Sequence, residues 1–285
     1  MSRHAFRAMG TDVELHLDAE EGDAAFRDAE AELARLEALL SRFLPGSELS
    51  RLNRLGELRA GPDLLAVAEA ALAAHELTAG RFDPTVHDAV VAAGYDRTFE
   101  LVAAGGSPRI AVAAPCGGGM EIDPAAGTIR LEPGVRLDLG GIAKGYAVDR
   151  ALRILAAAGP ALVDAGGDIA VTGRPWPVGV ETAGGTIALE LAEGAVATSG
   201  RDRRRWRAPD GERHHLIDPA TGLPAEGDLL RATVVAATAV EAEVLAKALF
   251  LAGDADRAAA EADDLGVPAV LVTRAGHTVL AGGLA

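Results

Sequence analysis

Leu137-Asp138-Leu139-Gly140-Gly141-Ile142-Ala143-Lys144-Gly145-Tyr146-Ala147-Val148-Asp149-Arg150 decides how this chain is read. With Arg136 in front of it, the stretch predicts a strand, a glycine turn and a helix. Gly140 and Gly141 let the backbone pass close to a ligand, and the helix they open presents unpaired N–H groups and a positive dipole end. Lys144 falls in the first helical turn, where a cation opposes that dipole unless an anion lies there too. A phosphate would satisfy all three features, and a tight turn carrying a solvated lysine would explain them without a ligand. The spacing leaves both readings open. It is not a P-loop, which needs four residues between its first Gly and the Gly-Lys-[Ser/Thr] end, and it is not a dinucleotide-binding GxGxxG.

Outward from this turn, strands and helices are evenly mixed. Thr11 to Leu17 alternates Val13, Leu15 and Leu17 with polar residues, the period of a half-buried strand. From Asp23 to Ser41, Ala25, Phe26, Ala29, Leu33, Leu36, Leu39 and Leu40 recur at helical spacing. A polar loop holding Ser47 and Asn53 is expected next, then a helix from Pro62 to about Thr78 ended by Gly80. Asp83-Pro84 has the form of an N-cap and first helical residue. Ile110 to Leu137 suggests hairpins. Ala161 to Asp164 and Leu230 to Ala237 predict strands, Val240 to Ala252 and Asp254 to Leu265 helices, and Ala269 to Thr273 a strand before a last hairpin. With no repeat and no low-complexity linker, the expectation is one α+β domain over 1–285, a mixed sheet with helices packed on it, in a single body or two lobes.

Composition narrows the function classes. The 285 residues carry 27 basic and 42 acidic side chains, a formal charge of -15, which argues against general nucleic-acid binding because phosphates need a basic footprint. Arg201 to Arg207 is the one dense basic run. One cysteine, Cys116, excludes an internal disulfide framework and any multi-cysteine metal site and reads as a free structural thiol. No leader signature is visible at the N-terminus and no run of 18 or more apolar residues follows, so a soluble, cytoplasmic chain without membrane insertion is expected. The cations are 25 arginines and only two lysines, Lys144 and Lys247, and Asn53 is the one asparagine. With abundant Ala and Gly, that skew looks like a G+C-rich coding bias that suppresses AA-type codons, and residues kept against it are worth following.

Further chemistry is spread along the chain. His214 and His215 precede an Asp218-Pro219-Ala220-Thr221-Gly222 turn, and strand alternation puts the two rings on opposite faces. A histidine is suited to take a hydroxyl proton near neutral pH, although a structural role is the commoner one for such a pair. Thr198-Ser199-Gly200 ends one strand and Gly166-Gly167-Asp168 another, either as ligand contacts or as turns. Glu243 and Lys247, four apart on one helical face, form by default a surface ion pair.

In this order, the pieces resemble the ApbE family, the FAD:protein FMN transferases. The resemblance is carried by Ala8-Met9-Gly10-Thr11, Ser41-Arg42-Phe43 through Ser47-Glu48-Leu49 to Asn53, and Gly80-Arg81-Phe82-Asp83-Pro84-Thr85-Val86. It continues through Leu137 to Arg150, Gly166-Gly167-Asp168, Thr198-Ser199-Gly200 and His215-Leu216-Ile217-Asp218-Pro219-Ala220-Thr221-Gly222. It implies an ApbE-like, T-fold-related α+β fold, FAD as substrate, and transfer of its FMN half to a Ser or Thr hydroxyl of an acceptor protein with release of AMP. His215 takes the position of the family's general base. Lys144 would act at the pyrophosphate, with Asn53, Asp138, Gly140, Gly141, Gly166, Gly167, Asp168, Thr198, Ser199 and Lys247 among the flavin-nucleotide contacts.

One departure bears on the metal. The family pattern places an Asp and, four residues later, a Thr on the helix after this motif, binding Mg²⁺ with a carbonyl from the glycine turn. Here Glu243 and Lys247 stand in those places, and Ala143 supplies the carbonyl. Glu243 retains an oxygen donor, whereas a protonated lysine has none. The preferred expectation is that Lys247 partly replaces the metal, forming a pair with Glu243 and facing the pyrophosphate as a fixed cation; weak Mg²⁺ binding through Glu243 and the Ala143 carbonyl is its rival. FAD hydrolysis to FMN and AMP, or flavin binding without catalysis, are the alternatives to transfer.

Overall fold

In the computed structural model, which describes residues 1–108 and 110–284, the strand Thr11–Leu17 lies where its alternation predicts it, with Val13, Leu15 and Leu17 buried. A strand the sequence does not signal, Ser2–Ala8, pairs with it antiparallel, from Ser2 opposite Leu17 to Ala8 opposite Thr11. Its outward positions are Arg3, Ala5 and Arg7, and Phe6 is its one strong β-former. The chain divides into two compact units: 1–37, 142–199 and 228–285 form the first, and 38–141 with 200–227 the second.

The first unit is built on an eight-stranded sheet. Its order is Ser2–Ala8, Thr11–Leu17, Ala161–Ala165, Asp168–Thr172, Gly194–Gly200, Leu229–Ala236, Ala269–Thr273 and Thr278–Ala281. Gly166 and Gly167 join two of these strands with φ of 67° and 98°, the left-handed pair that a two-residue hairpin turn requires. A Cβ on Gly166 would stand 2.0 Å from Thr11 Oγ1, so the position is closed to other residues by space as well. The turn sets Asp168 opposite Ala165 as the first residue of its strand.

The helices Ala143–Ala156 and Ala239–Phe250 pack on this sheet and on each other. Their backbones touch at Gly145, where a Cβ would lie 2.5 Å from Ala239 O and 2.8 Å from Val240 Cα. Each helix caps the other. Asp149 accepts the N–H groups of Ala239 at 2.8 Å and Val240 at 3.1 Å, and Glu243 accepts that of Gly145 at 2.9 Å. Ile142, at the N-cap of the first helix, offers no side-chain bond, so Glu243 performs the capping that a local Ser or Asp would perform elsewhere.

The second unit holds the helices Glu48–Leu55, Pro62–Leu77, His87–Ala92 and Phe99–Gly105, with a three-stranded sheet ordered Glu57–Arg59, Thr128–Leu131, Met120–Asp123. An aromatic core joins Tyr95, Phe99 and Trp206 to Val90, Val102 and Ile217. Three expectations are corrected here. Asn53 lies inside a helix, not a loop: Ser47 caps Glu48–Leu55 by accepting Ser50 N–H, and Gly56 ends it at φ 75°. Asp83 caps a turn by accepting the Thr85 N–H and hydroxyl, both at 2.7 Å, while the helix starts only at His87. Residues 136–139 belong to no sheet, because Leu137 is bonded to a side chain instead of a strand.

Candidate functional site

Within the first unit, the Lys144 ammonium is held between two buried carboxylates. It bonds Asp168 and donates to Glu243 Oε1 at 3.0 Å, and the second oxygen of Glu243 takes the Gly145 N–H at 2.9 Å. The glycine turn delivers Asp168, and the helix contact at Gly145 delivers Glu243. Burial pushes the Asp168 carboxyl above the usual carboxylate range; the Lys144 charge works against this, Glu243 reinforces it, and the charge of Lys247 lowers it again. Two carboxylates and two lysines thus balance at zero formal charge in a largely dry environment. The anion that the helix start calls for is therefore present in the protein itself, as Glu243. Glu243 is not half of a surface pair: it is buried and directed at the neighbouring helix, with Lys247 half-buried one turn further on.

Thr198 and Ser199 end the strand Gly194–Gly200 of the same unit. The Thr198 hydroxyl shares a hydrogen bond of 2.9 Å with Thr233 Oγ1, and Ser199 is buried. Among the described residues, no group of three or more His, Cys, Asp or Glu side chains is placed to hold a metal ion. Ala143 opens its helix beside the ion pair, but Glu243, the carboxylate expected to hold Mg²⁺, is spent on the Lys144 ammonium and the Gly145 N–H. As they stand, these residues do not fit a resident Mg²⁺, which requires oxygen donors free of a competing cation.

The second unit holds the remaining candidates. Asn53 Nδ2 donates to Leu137 O at 2.8 Å while its Oδ1 accepts Leu137 N–H at 2.7 Å, so one amide side chain supplies both ladder bonds of a missing strand. Asp138 Oδ1 accepts the Gly140 N–H at 2.7 Å, and its Oδ2 pairs with Arg42 Nε at 2.9 Å. Arg42 in turn donates to Tyr95 O at 2.7 Å and stacks on the rings of Phe43 and Tyr95 at 4.1 and 4.7 Å. Asn53 and Asp138 thereby brace the approach to Gly140 and Gly141 with their own polar atoms. Arg42 lies inside a quoted motif, yet nothing in the sequence ties it to Asp138, ninety-six positions away (138 − 42).

The adjacent histidines diverge as alternation predicts. His214 is buried; its Nε2 meets Ala225 O at 3.0 Å and its Nδ1 accepts Leu216 N–H at 3.3 Å, which fixes a neutral ring. Burial pushes its pKa down to about 4, with the Arg201 charge acting in the same sense. His215 is half-buried, and its Nδ1 faces Arg204 O at 3.4 Å. Donation from Nδ1 to a carbonyl places the lone pair on Nε2, the tautomer of a proton acceptor.

A sequence profile of the ApbE family matches residues 9–271. The chain belongs to the ApbE family. The crystal structure of the ApbE protein of Thermotoga maritima is 27% identical and superposes with a TM-score of 0.88 over 98% of this chain and 96% of that one. The FAD:protein FMN transferase of Haemophilus influenzae is 29% identical over 87% of this chain and 78% of its own length. That of Treponema pallidum is 33% identical over a shorter match, 44% of this chain and 41% of the relative. Arg42, Gly145 and Asp149 stand inside the quoted motifs, but the sequence gives them no role of their own. All three act on backbone or on charged partners distant in sequence, where a linear pattern leaves no mark.

Proposed function

We propose that this ApbE-family chain is an FAD:protein FMN transferase, a transferase acting on FAD and on a Ser or Thr hydroxyl of an acceptor protein. The observation that carries the reading is a relative of that activity aligned over 87% of this chain. The chemistry of its residues is consistent with it. The acceptor oxygen attacks the FMN-side phosphorus; His215 Nε2 takes the hydroxyl proton; the bond from that phosphorus to the bridging oxygen breaks; AMP leaves with that oxygen and the electron pair. Such a displacement needs positioning and charge neutralisation more than covalent help. Lys144 provides a cation at the glycine turn and Lys247 a second charge, with Asn53 and Asp138 holding the turn and Gly166, Gly167, Asp168, Thr198 and Ser199 supporting the nucleotide.

In this reading the lysines carry the charge that Mg²⁺ carries in the expected pattern, and the chain 1–285 works as one domain in the cytoplasm. No helix among the described residues is long and apolar enough to cross a membrane. Titrating FAD affinity and turnover against Mg²⁺ and EDTA tests the metal: turnover that persists in EDTA supports the lysines, and full magnesium dependence rejects them. Mass spectrometry after mixing protein, FAD and an acceptor tests the activity. An acceptor–FMN adduct is expected; free FMN with AMP would mean hydrolysis, and unchanged FAD would mean a binding protein. A His215→Ala variant that transfers FMN as fast as wild type would remove His215 from its role.

A further inference from the structure

Arg42 is anchored within the second unit. Its Nε pairs with Asp138 Oδ2 at 2.9 Å, a second nitrogen donates to Tyr95 O at 2.7 Å, and the central carbon of its guanidinium lies 4.1 and 4.7 Å from the ring centroids of Phe43 and Tyr95. The side chains of Arg42 and Asp138 are only 7% and 11% exposed, so salt screens this pair far less than an exterior one. Arginine is the common cation of this chain, 25 of 27, and its identity at position 42 therefore signals nothing. Its surroundings do: a planar fork that bonds at its edge while stacking on rings performs a task that a lysine ammonium cannot.

Asp138 is held as firmly. Its N–H donates to Pro84 O at 2.8 Å, its Oδ1 accepts the Gly140 N–H at 2.7 Å, and Asn53 fixes Leu137 directly before it. A Cβ on Gly140 would come 2.9 Å from Asp138 Oδ1, so a larger residue would push that carboxylate off the turn. The same carboxylate sets a negative charge one hydrogen bond away from Gly140, where the proposed pyrophosphate brings more negative charge. Arg42 supplies the opposite charge. Its bonds run to Asp138 and to a backbone carbonyl, which makes its action on the turn indirect, through Asp138.

We propose that Arg42 is a positioning residue for FAD: by cancelling the charge of Asp138, it lets that carboxylate shape the Gly140 turn without repelling the pyrophosphate. The inference rests on the transferase reading and deepens it at the same turn. Asp138 sets the shape, and Arg42 sets the tolerance for phosphate. The two roles separate chemically, since an asparagine at position 138 keeps an oxygen acceptor for the Gly140 N–H and carries no charge.

A double-mutant cycle on the full chain tests this, with FAD affinity read from flavin fluorescence and stability from urea unfolding. Arg42→Met is expected to raise the Kd for FAD by about tenfold or more, because Asp138 then meets the pyrophosphate with its charge unbalanced. In the Asp138→Asn background the same change is expected to matter less than about threefold, so the second substitution rescues most of the affinity that the first removes. Arg42→Lys keeps the charge and loses the stacking and the geometry of the fork. It is expected to lower stability while holding FAD affinity within about threefold of wild type, a split that a merely structural arginine would not produce. Equal effects of Arg42→Met in both backgrounds would overturn the inference, because Arg42 would then act without Asp138. Should Arg42→Met fail to fold, Arg42→Lys decides: retained FAD affinity upholds the charge role, and a loss of about tenfold overturns it. A wild-type chain that binds no FAD would overturn the transferase reading and this inference together. FAD binding that shows the coupling, without an FMN adduct on any acceptor, would uphold the role of Arg42 while rejecting transfer.

Discussion

Glu243 holds Gly145 across two helices, its Oε2 taking the Gly145 N–H at 2.9 Å while its Oε1 takes the Lys144 ammonium at 3.0 Å. One side chain therefore caps a helix and neutralises a buried lysine at the same time. Glu243→Gln keeps an acceptor for the N–H and removes the charge, while Lys144 keeps its pair with Asp168. Lys144→Met leaves two buried carboxylates facing each other without a cation. Breaking a buried pair from one side costs about 3–5 kcal/mol, so Lys144→Met should be the more damaging in urea unfolding and Glu243→Gln the milder. Equal losses, or none, would mean that water screens the cluster.

Gly145→Ala tests the helix contact itself. The added methyl would meet backbone atoms at 2.5 and 2.8 Å, which cannot rotate away as a side chain would. The helices must separate, at a cost of roughly 1–3 kcal/mol, and carry Glu243 away from Lys144. Loss of thermal stability together with weakened FAD affinity is expected. A variant as stable as wild type would show that the approach is looser than described.

Asn53→Ala should leave the N–H and carbonyl of Leu137 without partners at roughly 1–3 kcal/mol for each group that stays dry. Asn53→Asp retains the acceptor, loses the donor and sets a carboxylate against the Leu137 carbonyl. Both should raise the Kd for FAD by loosening the approach to Gly140, with the order of stability wild type, Asp, Ala to be read by chemical denaturation. Unchanged FAD affinity in both would confine Asn53 to stability.

His214 makes stability depend on pH. Its folded pKa of about 4 lies below the ordinary 6.5, so between these values the unfolded chain binds the extra proton. Stability from this group is complete above about pH 6.5 and is lost as pH falls toward 4, on the order of 3 kcal/mol in all. His214→Gln should flatten the stability profile in that window relative to wild type. Parallel profiles for the two proteins would contradict the assignment of a neutral buried ring.

Cys116 should be unreactive. Burial pushes its thiol up to about 11, and the charges of Asp83, Asp218 and Asp88 add to this. Thiol reagents at pH 8 are expected to label it slowly in the native protein and quickly in denaturant, since the thiolate is the nucleophile. Rapid native labelling would contradict the burial.

Elements whose cause is local were legible in the sequence. Val13, Leu15 and Leu17 announce their strand, and Phe26, Leu33 and Leu36 their helix, because the burial pattern is written at fixed spacing. The eight-residue helix around Asn53 buries only Leu49 and Leu52, too few contacts to show a period, although Ser47 and Gly56 mark both of its ends. Residues 136–139 read as a strand, while the partner of Leu137 is one amide 84 residues away. The need for an anion beside Lys144 could be read from the dipole argument, but not that Glu243, 99 residues on, would meet it. Of the three residues set apart by the coding bias, Lys144 is the centre of the buried pair, Lys247 adds its charge to it, and Asn53 replaces a strand.

The most direct measurement counts AMP released against FMN attached when the chain turns over FAD with an acceptor protein. Transfer to a hydroxyl predicts one AMP for each acceptor-bound FMN, in the presence or absence of EDTA, and loss of both products in His215→Ala. AMP and free FMN without an adduct would contradict the account.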